Sequence, residues 1–147
     1  MLIDIDTRYA LIHGGWYHVS GELMALTARH GHAVMESYTG SPNQLWSVFR
    51  SGTLKSASGS YLVYDATGIV RVRTSGTAPD QGFRIHPAGA HPLAVTIVPQ
   101  ENDTVVLRGS YASRFVDAED AGVSGGTWFL VDAKAMATYE TATPQVT

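Results

Sequence analysis

NQLW at residues 43–46 recurs twice in altered form, as DQGF at residues 80–83 and as GGTW at residues 125–128. Each segment ends in a large aromatic residue, and the first two have a glutamine two residues before it. Trp46 and Phe83 are 37 residues apart, and Phe83 and Trp128 are 45 residues apart. Units of about 40 residues are long enough to be repeated supersecondary structures. The spacing therefore predicts three repeats, with Trp46, Phe83 and Trp128 as equivalent structural core residues.

Length and composition limit the classes of protein and of partner. The chain has 147 residues, which suits one domain with a sizeable core. Its net charge is -3 and its Arg and Lys residues are scattered, so no basic patch is available to attract nucleic acid or an anionic membrane. The absence of cysteine excludes disulfides, thiolate nucleophiles and cysteine-ligated zinc. We expect no nucleic-acid partner and no membrane insertion.

The beginning of the chain bears on localisation. Residues 1–8 carry acidic side chains where a signal peptide has a basic region followed by an apolar run. The apolar runs elsewhere are far shorter than the roughly 20 residues that span a bilayer. We expect a soluble protein that is cytoplasmic, or secreted without a recognisable signal peptide.

Short runs of β-branched and aromatic residues alternate with Gly, Ser and Pro, a pattern typical of many short strands. The predicted strands are 8–13, 22–27, 33–38, 45–50, 53–57, 61–64, 69–73, 82–86, 93–99, 104–108, 113–117 and 127–131. Only residues 132–137 favour a helix, and this segment is too short to form more than a final turn.

Twelve strands in three four-strand units predict an all-β protein with the β-trefoil fold, in which six strands close a barrel and three hairpins cap one end. One domain then covers residues 1–147, with repeats at about 8–50, 51–88 and 89–132 and a tail at 133–147. An alternative comes from GGW at residues 14–16, which resembles the Gly-x-Trp opening of lipocalins. An eight-stranded lipocalin barrel leaves the three recurring aromatic residues unexplained.

The sequence resembles the ricin-type β-trefoil lectins, whose repeats carry a Gln-x-Trp motif. NQLWSVF at residues 43–49, running into GTLKSASGSYL at residues 52–62, is similar to the junction between two such repeats. The resemblance spans about residues 8–132. Only the first repeat keeps the whole motif, because Phe83 replaces Trp in the second repeat and Gly126 replaces Gln in the third. Among members of the family, the chain is most similar to the small cysteine-free ones of fungi and bacteria.

The resemblance implies a sugar site in the first repeat. A sugar needs a ring for stacking and amide or carboxylate groups for hydrogen bonds, and in this family they come from the strands of the repeat and from an Asn beside the motif Gln. Glu36 and Tyr38 share one strand face by alternation, and the turn at residues 39–42 brings Asn43 towards Tyr38. The predicted ligand-binding residues are Glu36, Tyr38, Asn43 and Gln44.

One family feature is missing from this site. Family members that bind galactose-type sugars have an Asp early in the repeat, but LMALT at residues 23–27 contains no carboxylate. The candidates to replace it are Glu22, Glu36, His30 and His32. The alternative interpretation is that Tyr38 packs in the protein and Asn43 caps a turn.

The other two repeats lack parts of the site. The second has Asp65, Asp80 and Gln81 but no aromatic residue at 69–73, where Arg71 and Arg73 are expected to lie in solvent or to pair loosely with the two aspartates. The third has Phe115, which we expect in the core, and its Gly125 and Gly126 replace the Asn-Gln pair. We therefore expect one working site.

Catalysis and metal binding have little support in the sequence. His30 and His32 would share one face of an extended strand, but no spacing provides a further metal ligand. No catalytic motif surrounds any serine. We expect no enzyme activity, no cofactor and no metal.

Two classes of function remain open. The first is a carbohydrate-binding lectin that recognises glycans or glycoproteins and gains avidity if it forms a homo-oligomer. The second is a non-catalytic protein-interaction module, such as a subunit of an assembly or a protease inhibitor. Tyr38 and Asn43 distinguish the two classes, because a lectin needs them exposed and convergent.

Overall fold

The structure, a computed structural model, describes residues 3–15, 22–64, 68–74, 82–110, 114–120 and 125–136. These residues form twelve β-strands and two short 3-10 turns, at Pro42–Gln44 and Ala133–Ala135. The strands are β1 (Tyr9–His13), β2 (Met24–Arg29), β3 (His32–Ser37), β4 (Trp46–Val48), β5 (Leu54–Ser56), β6 (Tyr61–Tyr64), β7 (Val70–Arg73), β8 (Phe83–Pro87), β9 (Ala94–Pro99), β10 (Val105–Gly109), β11 (Val116–Asp120) and β12 (Trp128–Asp132).

Six of the strands form a closed barrel. β1 pairs with β12 and β4, β4 with β5, β8 with β9, and β9 with β12, all antiparallel. The remaining seam, between β5 and β8, is joined where the Phe83 N–H donates to the Gly52 carbonyl at 2.9 Å. Gly52 has a φ of 93°, and a Cβ there would collide with the Phe83 carbonyl. The seam therefore requires glycine at position 52.

Three hairpins cover one end of this barrel. They are β2–β3, β6–β7 and β10–β11, and each contacts the other two. His32 on β3 pairs with Arg71 on β7, Val34 on β3 bridges to Phe115, and Ile69 bridges to Asp117 on β11. This is the β-trefoil arrangement, so the predicted fold class is confirmed, and the lipocalin alternative is wrong. Trp16 of that alternative lies outside the described residues.

The equivalent aromatic residues fill the centre of the core. Trp46 and Trp128 are fully buried and Phe83 is 3% exposed. The Trp46 indole N–H donates to the Leu26 carbonyl at 3.0 Å, and the Trp128 indole N–H donates to the Leu107 carbonyl at 3.1 Å. Each bond links a barrel strand to the hairpin of the same repeat. The Phe83 ring has no N–H and therefore makes no equivalent bond.

Phe115 departs from the prediction. The turn between β10 and β11 extends further along the chain than expected, because Arg114 has a φ of 64° and its N–H donates to the Ser110 carbonyl at 2.9 Å. β11 consequently begins at Val116 rather than 113. Phe115 precedes it and is 47% exposed, so its prediction as a core residue is wrong.

His13 is fully buried at the end of β1, where its ring meets Trp128 edge-on with 5.1 Å between ring centroids. The Gly15 N–H donates to Nδ1 at 3.2 Å, so we assign the ring proton to Nε2, which donates to the Gly125 carbonyl at 2.9 Å. Burial lowers the pKa of His13 below its ordinary 6.5, and the bond to Gly125 opposes part of that shift. The fold therefore favours the neutral imidazole.

No helix in the described part of the chain is long and apolar enough to cross a membrane.

Replacing either core tryptophan with phenylalanine should test the two indole bonds. We expect Trp46→Phe and Trp128→Phe each to lower the free energy of unfolding by about 2 kcal/mol, because a buried leucine carbonyl loses its partner and a cavity forms. Urea denaturation measures the change. Tyr61→Phe, which removes a polar atom from a half-buried ring, is the control, and equal effects in the three variants would contradict this account.

The burial of His13 should make stability depend on pH. The unfolded chain binds a proton near pH 6.5 that the folded chain takes up only at lower pH, so the free energy of unfolding should fall as the pH drops below about 6.5. We expect a slope of up to about 1.4 kcal/mol per pH unit. Urea denaturation between about pH 7 and 5.5 measures it.

His13→Gln should remove most of this slope, whereas the same change at the exposed His86 should preserve it. A slope that survives in His13→Gln would assign the effect to another group.

Candidate functional site

Gln44 joins the loop at residues 39–44 to the β2–β3 hairpin. Its Oε1 accepts from the backbone N–H of Thr39 at 2.8 Å and from the Thr39 hydroxyl at 3.2 Å. Its Nε2 donates to the Thr27 hydroxyl at 3.1 Å and to the Ser37 carbonyl at 3.0 Å. The residue is only 2% exposed, so it supports the loop from inside and does not face a ligand.

Asn43 lies on the adjacent 3-10 turn. Pro42 begins the turn, where a missing N–H is tolerated, and the Gln44 N–H donates to the Ser41 carbonyl at 2.8 Å. The Asn43 Nδ2 donates to the Ala28 carbonyl at 3.2 Å. Asn43 therefore does not cap its own turn; it lies against β2 near the end of the hairpin.

Glu36 is paired with Arg29 across the outer face of the same hairpin. Its two oxygens accept from the Arg29 guanidinium at 2.6 and 3.0 Å. The side chains are 35% and 46% exposed, so the pair is accessible to a ligand and contributes little to stability. It presents both acceptors and donors at one point on the surface.

Tyr38 packs at the base of the hairpin. It lies half-buried against an outer apolar cluster, and its N–H donates to the Leu23 carbonyl at 2.8 Å. The buried members of the cluster are Ala10, Ile12, Ala25, Val131 and Met136. The ring turns towards Gly40, where a Cβ would come within 3.5 Å of the Tyr38 hydroxyl. A side chain at position 40 would therefore contact the ring.

The four predicted residues are therefore only partly brought together. Ala33 pairs with Ala28, the residue that Asn43 contacts, and Tyr38 lies five residues beyond it. Gln44 lies beneath the loop and bonds to Ser37 and Thr39, the residues on either side of Tyr38. Asn43 is held against Ala28, whereas the Tyr38 ring packs against the outer apolar cluster.

No carboxylate on β2 takes the place of the missing Asp. Ala25 is the residue opposite Glu36, and Thr27 is opposite Val34. The Thr27 hydroxyl is buried and donates to the Ala25 carbonyl at 2.9 Å. Glu22 is exposed at the base of the hairpin, where it accepts from the Ser37 hydroxyl at 2.8 Å. Glu36 is thus the carboxylate on the outer face.

In the third repeat, the side chains of Val106 and Arg108 lie against the two glycines that replace the Asn-Gln pair. Cβ atoms on Gly125 and Gly126 would lie 3.0 Å from the Arg108 Cγ and 2.8 Å from the Val106 Cγ2. The Arg108 guanidinium binds Asp117 at 3.1 and 3.2 Å and reaches Glu119 at 3.4 Å. Hydrogen bonding to Asp117 raises the pKa of Arg108. The repeat motif in the sequence carries no signal for this role of Arg108.

In the second repeat the predicted residues Asp65, Asp80 and Gln81 lie outside the described residues. Arg71 and Arg73 point outward from β7, whose buried and exposed residues alternate. At the centre of the cap, the exposed Phe115 meets His32 edge-on at 5.4 Å and lines a cavity of about 240 Å³ with Ile69.

His30 and Gly31 form the two-residue turn between β2 and β3. Their φ angles are 50° and 81°, so the extended geometry assumed for the His30 and His32 pair is wrong. Among the residues that the structure describes, no group of three or more His, Cys, Asp or Glu side chains is placed to hold a metal ion.

No protein-family model matches the chain, and no curated protein matches it. Among solved structures, the BEL β-trefoil is 16% identical with a TM-score of 0.71, covering 90% of this chain and 97% of that one. The β-trefoil lectin of the Vibrio vulnificus hemolysin/cytolysin, bound to N-acetyl-D-lactosamine, is 12% identical with a TM-score of 0.58, covering 86% and 94%.

An endo-β-galactosidase from Clostridium perfringens is 14% identical with a TM-score of 0.67, covering 86% of this chain. The chain spans only 32% of that enzyme's length. At these identities the likeness shows the fold, which is the β-trefoil.

Changing Gln44 to Glu should destabilise the first repeat. The substitution removes the donor to the Ser37 carbonyl and places a buried carboxylate beside it, so we expect the free energy of unfolding to fall by about 3 kcal/mol. Denaturation in urea measures the fall. Gln100→Glu is the matched control, because the exposed Gln100 also donates to two backbone carbonyls, at 3.0 and 3.3 Å. A similar loss in the two variants would contradict the importance of burial at Gln44.

Proposed function

We propose that this protein binds carbohydrate, without catalysis, through the first repeat. The observation that carries the proposal is the Gln44 side chain, which fixes the loop at residues 39–44 against the β2–β3 hairpin. The loop, with the Thr39 and Ser41 hydroxyls, and the hairpin, with the Arg29–Glu36 pair, form the polar surface of the first repeat. The third repeat lacks this arrangement, because Gly126 replaces the glutamine and Val106 lies against it.

The groups on this surface suit the hydroxyls of a sugar, which both donate and accept hydrogen bonds. Glu36 offers acceptors and Arg29 offers donors. The Asn43 amide uses Nδ2 to bind Ala28, and its Oδ1 accepts no bond from the described residues, so it is available to a ligand. The hydroxyls of Thr39 and Ser41 lie on the same loop, 2.6 Å apart.

Tyr38 supplies the apolar part of the proposed site. Its ring lies beside Gly40, and Glu36 lies two residues before it, near the end of β3. Asn43 is held at Ala28, and Tyr38 packs on the outer apolar cluster. We infer that the ligand is an oligosaccharide that reaches Glu36 as well as these two residues, with Gln44 in a supporting role.

The structural neighbours support binding rather than chemistry. The BEL β-trefoil and the Vibrio lectin are matched over nearly their whole lengths, and the latter holds N-acetyl-D-lactosamine. The endo-β-galactosidase is matched over about a third of its chain. Contact at a single shallow site is weak, so we expect strong attachment to glycoproteins only if the protein forms a homo-oligomer.

A glycan-array screen tests the proposal. We expect binding to a set of oligosaccharides, and we expect Glu36→Gln and Asn43→Ala each to weaken it about tenfold, because each removes at least one hydrogen bond to the ligand. Titration calorimetry with the strongest array ligand measures the change. Glu119→Gln is the matched control, since Glu119 is also bound to an arginine, Arg108, but in the third repeat.

If Glu119→Gln alone lost binding, the site would be in the third repeat. An array with no bound glycan would overturn the proposal and leave the non-catalytic protein-interaction module as the function to test.

A further inference from the structure

Three side chains form a row across the outer face of the second repeat. Lys55 on β5 pairs with Tyr61 on β6, and Tyr61 pairs with Arg73 on β7. Side chains directly opposite one another in antiparallel strands lie on the same face of the sheet. The Lys55 ammonium lies 5.2 Å from the centre of the Tyr61 ring. The row therefore places an aromatic ring between two cations.

A cleft of about 460 Å³ lies beside this row, between the turn of the first hairpin and strand β7. Its polar walls are His30 from the first repeat and Ser60, Arg73 and Thr74 from the second. The rest of the lining is Ala28, Gly31 and Val72. The Val72 N–H donates to the Gly31 carbonyl at 3.2 Å, which joins the two walls at the base. Two repeats thus build one concave site.

The two cations of this region, Arg73 and Lys55, differ from Arg29 and Arg108 in having no acidic partner among the described residues. Arg29 is bound to Glu36, and Arg108 is bound to Asp117. By contrast, Arg73 and Lys55 form no ion pair within the described ranges of the chain. An anion entering the cleft would meet positive charge that no described carboxylate already neutralises.

The backbone at His30 has a conformation that few side chains adopt. With φ of 50° at His30 and 81° at Gly31, the hairpin turn takes the left-handed geometry that Asn-Gly supplies most easily. His is tolerated there at some conformational cost. The imidazole projects into the cleft from the turn, where Asn would give the lower-energy backbone.

We propose that this cleft binds the anionic group, a carboxylate or a sulfate, of an acidic oligosaccharide. Arg73 and His30 hold the anion, Ser60 and Thr74 donate hydrogen bonds to it, and the Tyr61 ring lies beside the adjoining sugar. The inference rests on the proposed function. The cleft adjoins the first-repeat site, because Ala28 lines it and also binds Asn43. One ligand can extend from Asn43 into the cleft.

The test compares neutral glycans with their own sialylated and sulfated derivatives. For the wild-type protein we expect at least one acidic derivative to bind about tenfold more tightly than its neutral parent, with the advantage falling as salt is raised. The sialylated and sulfated arms distinguish carboxylate from sulfate. Titration calorimetry at two salt concentrations measures the affinities.

Arg73→Gln should reduce the acidic advantage to nearly nothing while preserving affinity for the neutral parent. His30→Asn should reduce it in part, and Asn in the left-handed turn keeps the hairpin folded. Arg84→Gln, at an exposed arginine on β8, is the control and should behave as wild type. Thermal unfolding of each variant verifies the fold.

Equal binding of neutral and acidic glycans would overturn the inference and preserve the proposed function. An acidic preference that survives Arg73→Gln would also overturn it, by placing the anion elsewhere. If no glycan of either kind bound, both the inference and the proposed function would fail.

Discussion

The structure depends on the hydrogen bonds between two buried indoles and two leucine carbonyls. The bond from Trp46 to Leu26, and that from Trp128 to Leu107, each tie a barrel strand to the hairpin that precedes it in the chain. Without water in the core, an indole N–H and a peptide carbonyl each need a protein partner. Because the indole N–H and the leucine carbonyl bond to each other within one repeat, the distance between the hairpin and the barrel is fixed. In the second repeat the equivalent residue, Phe83, has no indole N–H and contributes by packing.

The polar surface of the first repeat depends on the bond from Trp46 to Leu26. Because Trp46 holds β2 in place, Gln44, two residues before it, can reach both Thr27 on β2 and the carbonyl of Ser37 at the end of β3. The third repeat keeps the tryptophan but has Gly126 instead of glutamine, and the Val106 side chain lies against that glycine. Retention of the core tryptophan therefore does not imply retention of the surface site.

The three-fold pattern could be predicted from the sequence because it rests on large aromatic residues at regular intervals, and burial demands their size. The contacts of the candidate site were harder to predict. Alternation placed Glu36 and Tyr38 on one face, but it could not reveal that Arg29 binds Glu36 or that an outer apolar cluster holds Tyr38. Asn43 binds Ala28, and that contact depends on where the loop folds against β2.

The pairing of β1 with β12 bears on how the chain folds. Tyr9 lies opposite Asp132, so this ladder joins residues from the two ends of the described chain. The tryptophan–leucine bonds, by contrast, join residues only 20 and 21 positions apart. Closing the long loop costs more entropy than closing the short ones, and such non-local pairing slows folding. A growing chain can assemble the contacts of its first repeat during synthesis, whereas the barrel cannot close until β12 has left the ribosome.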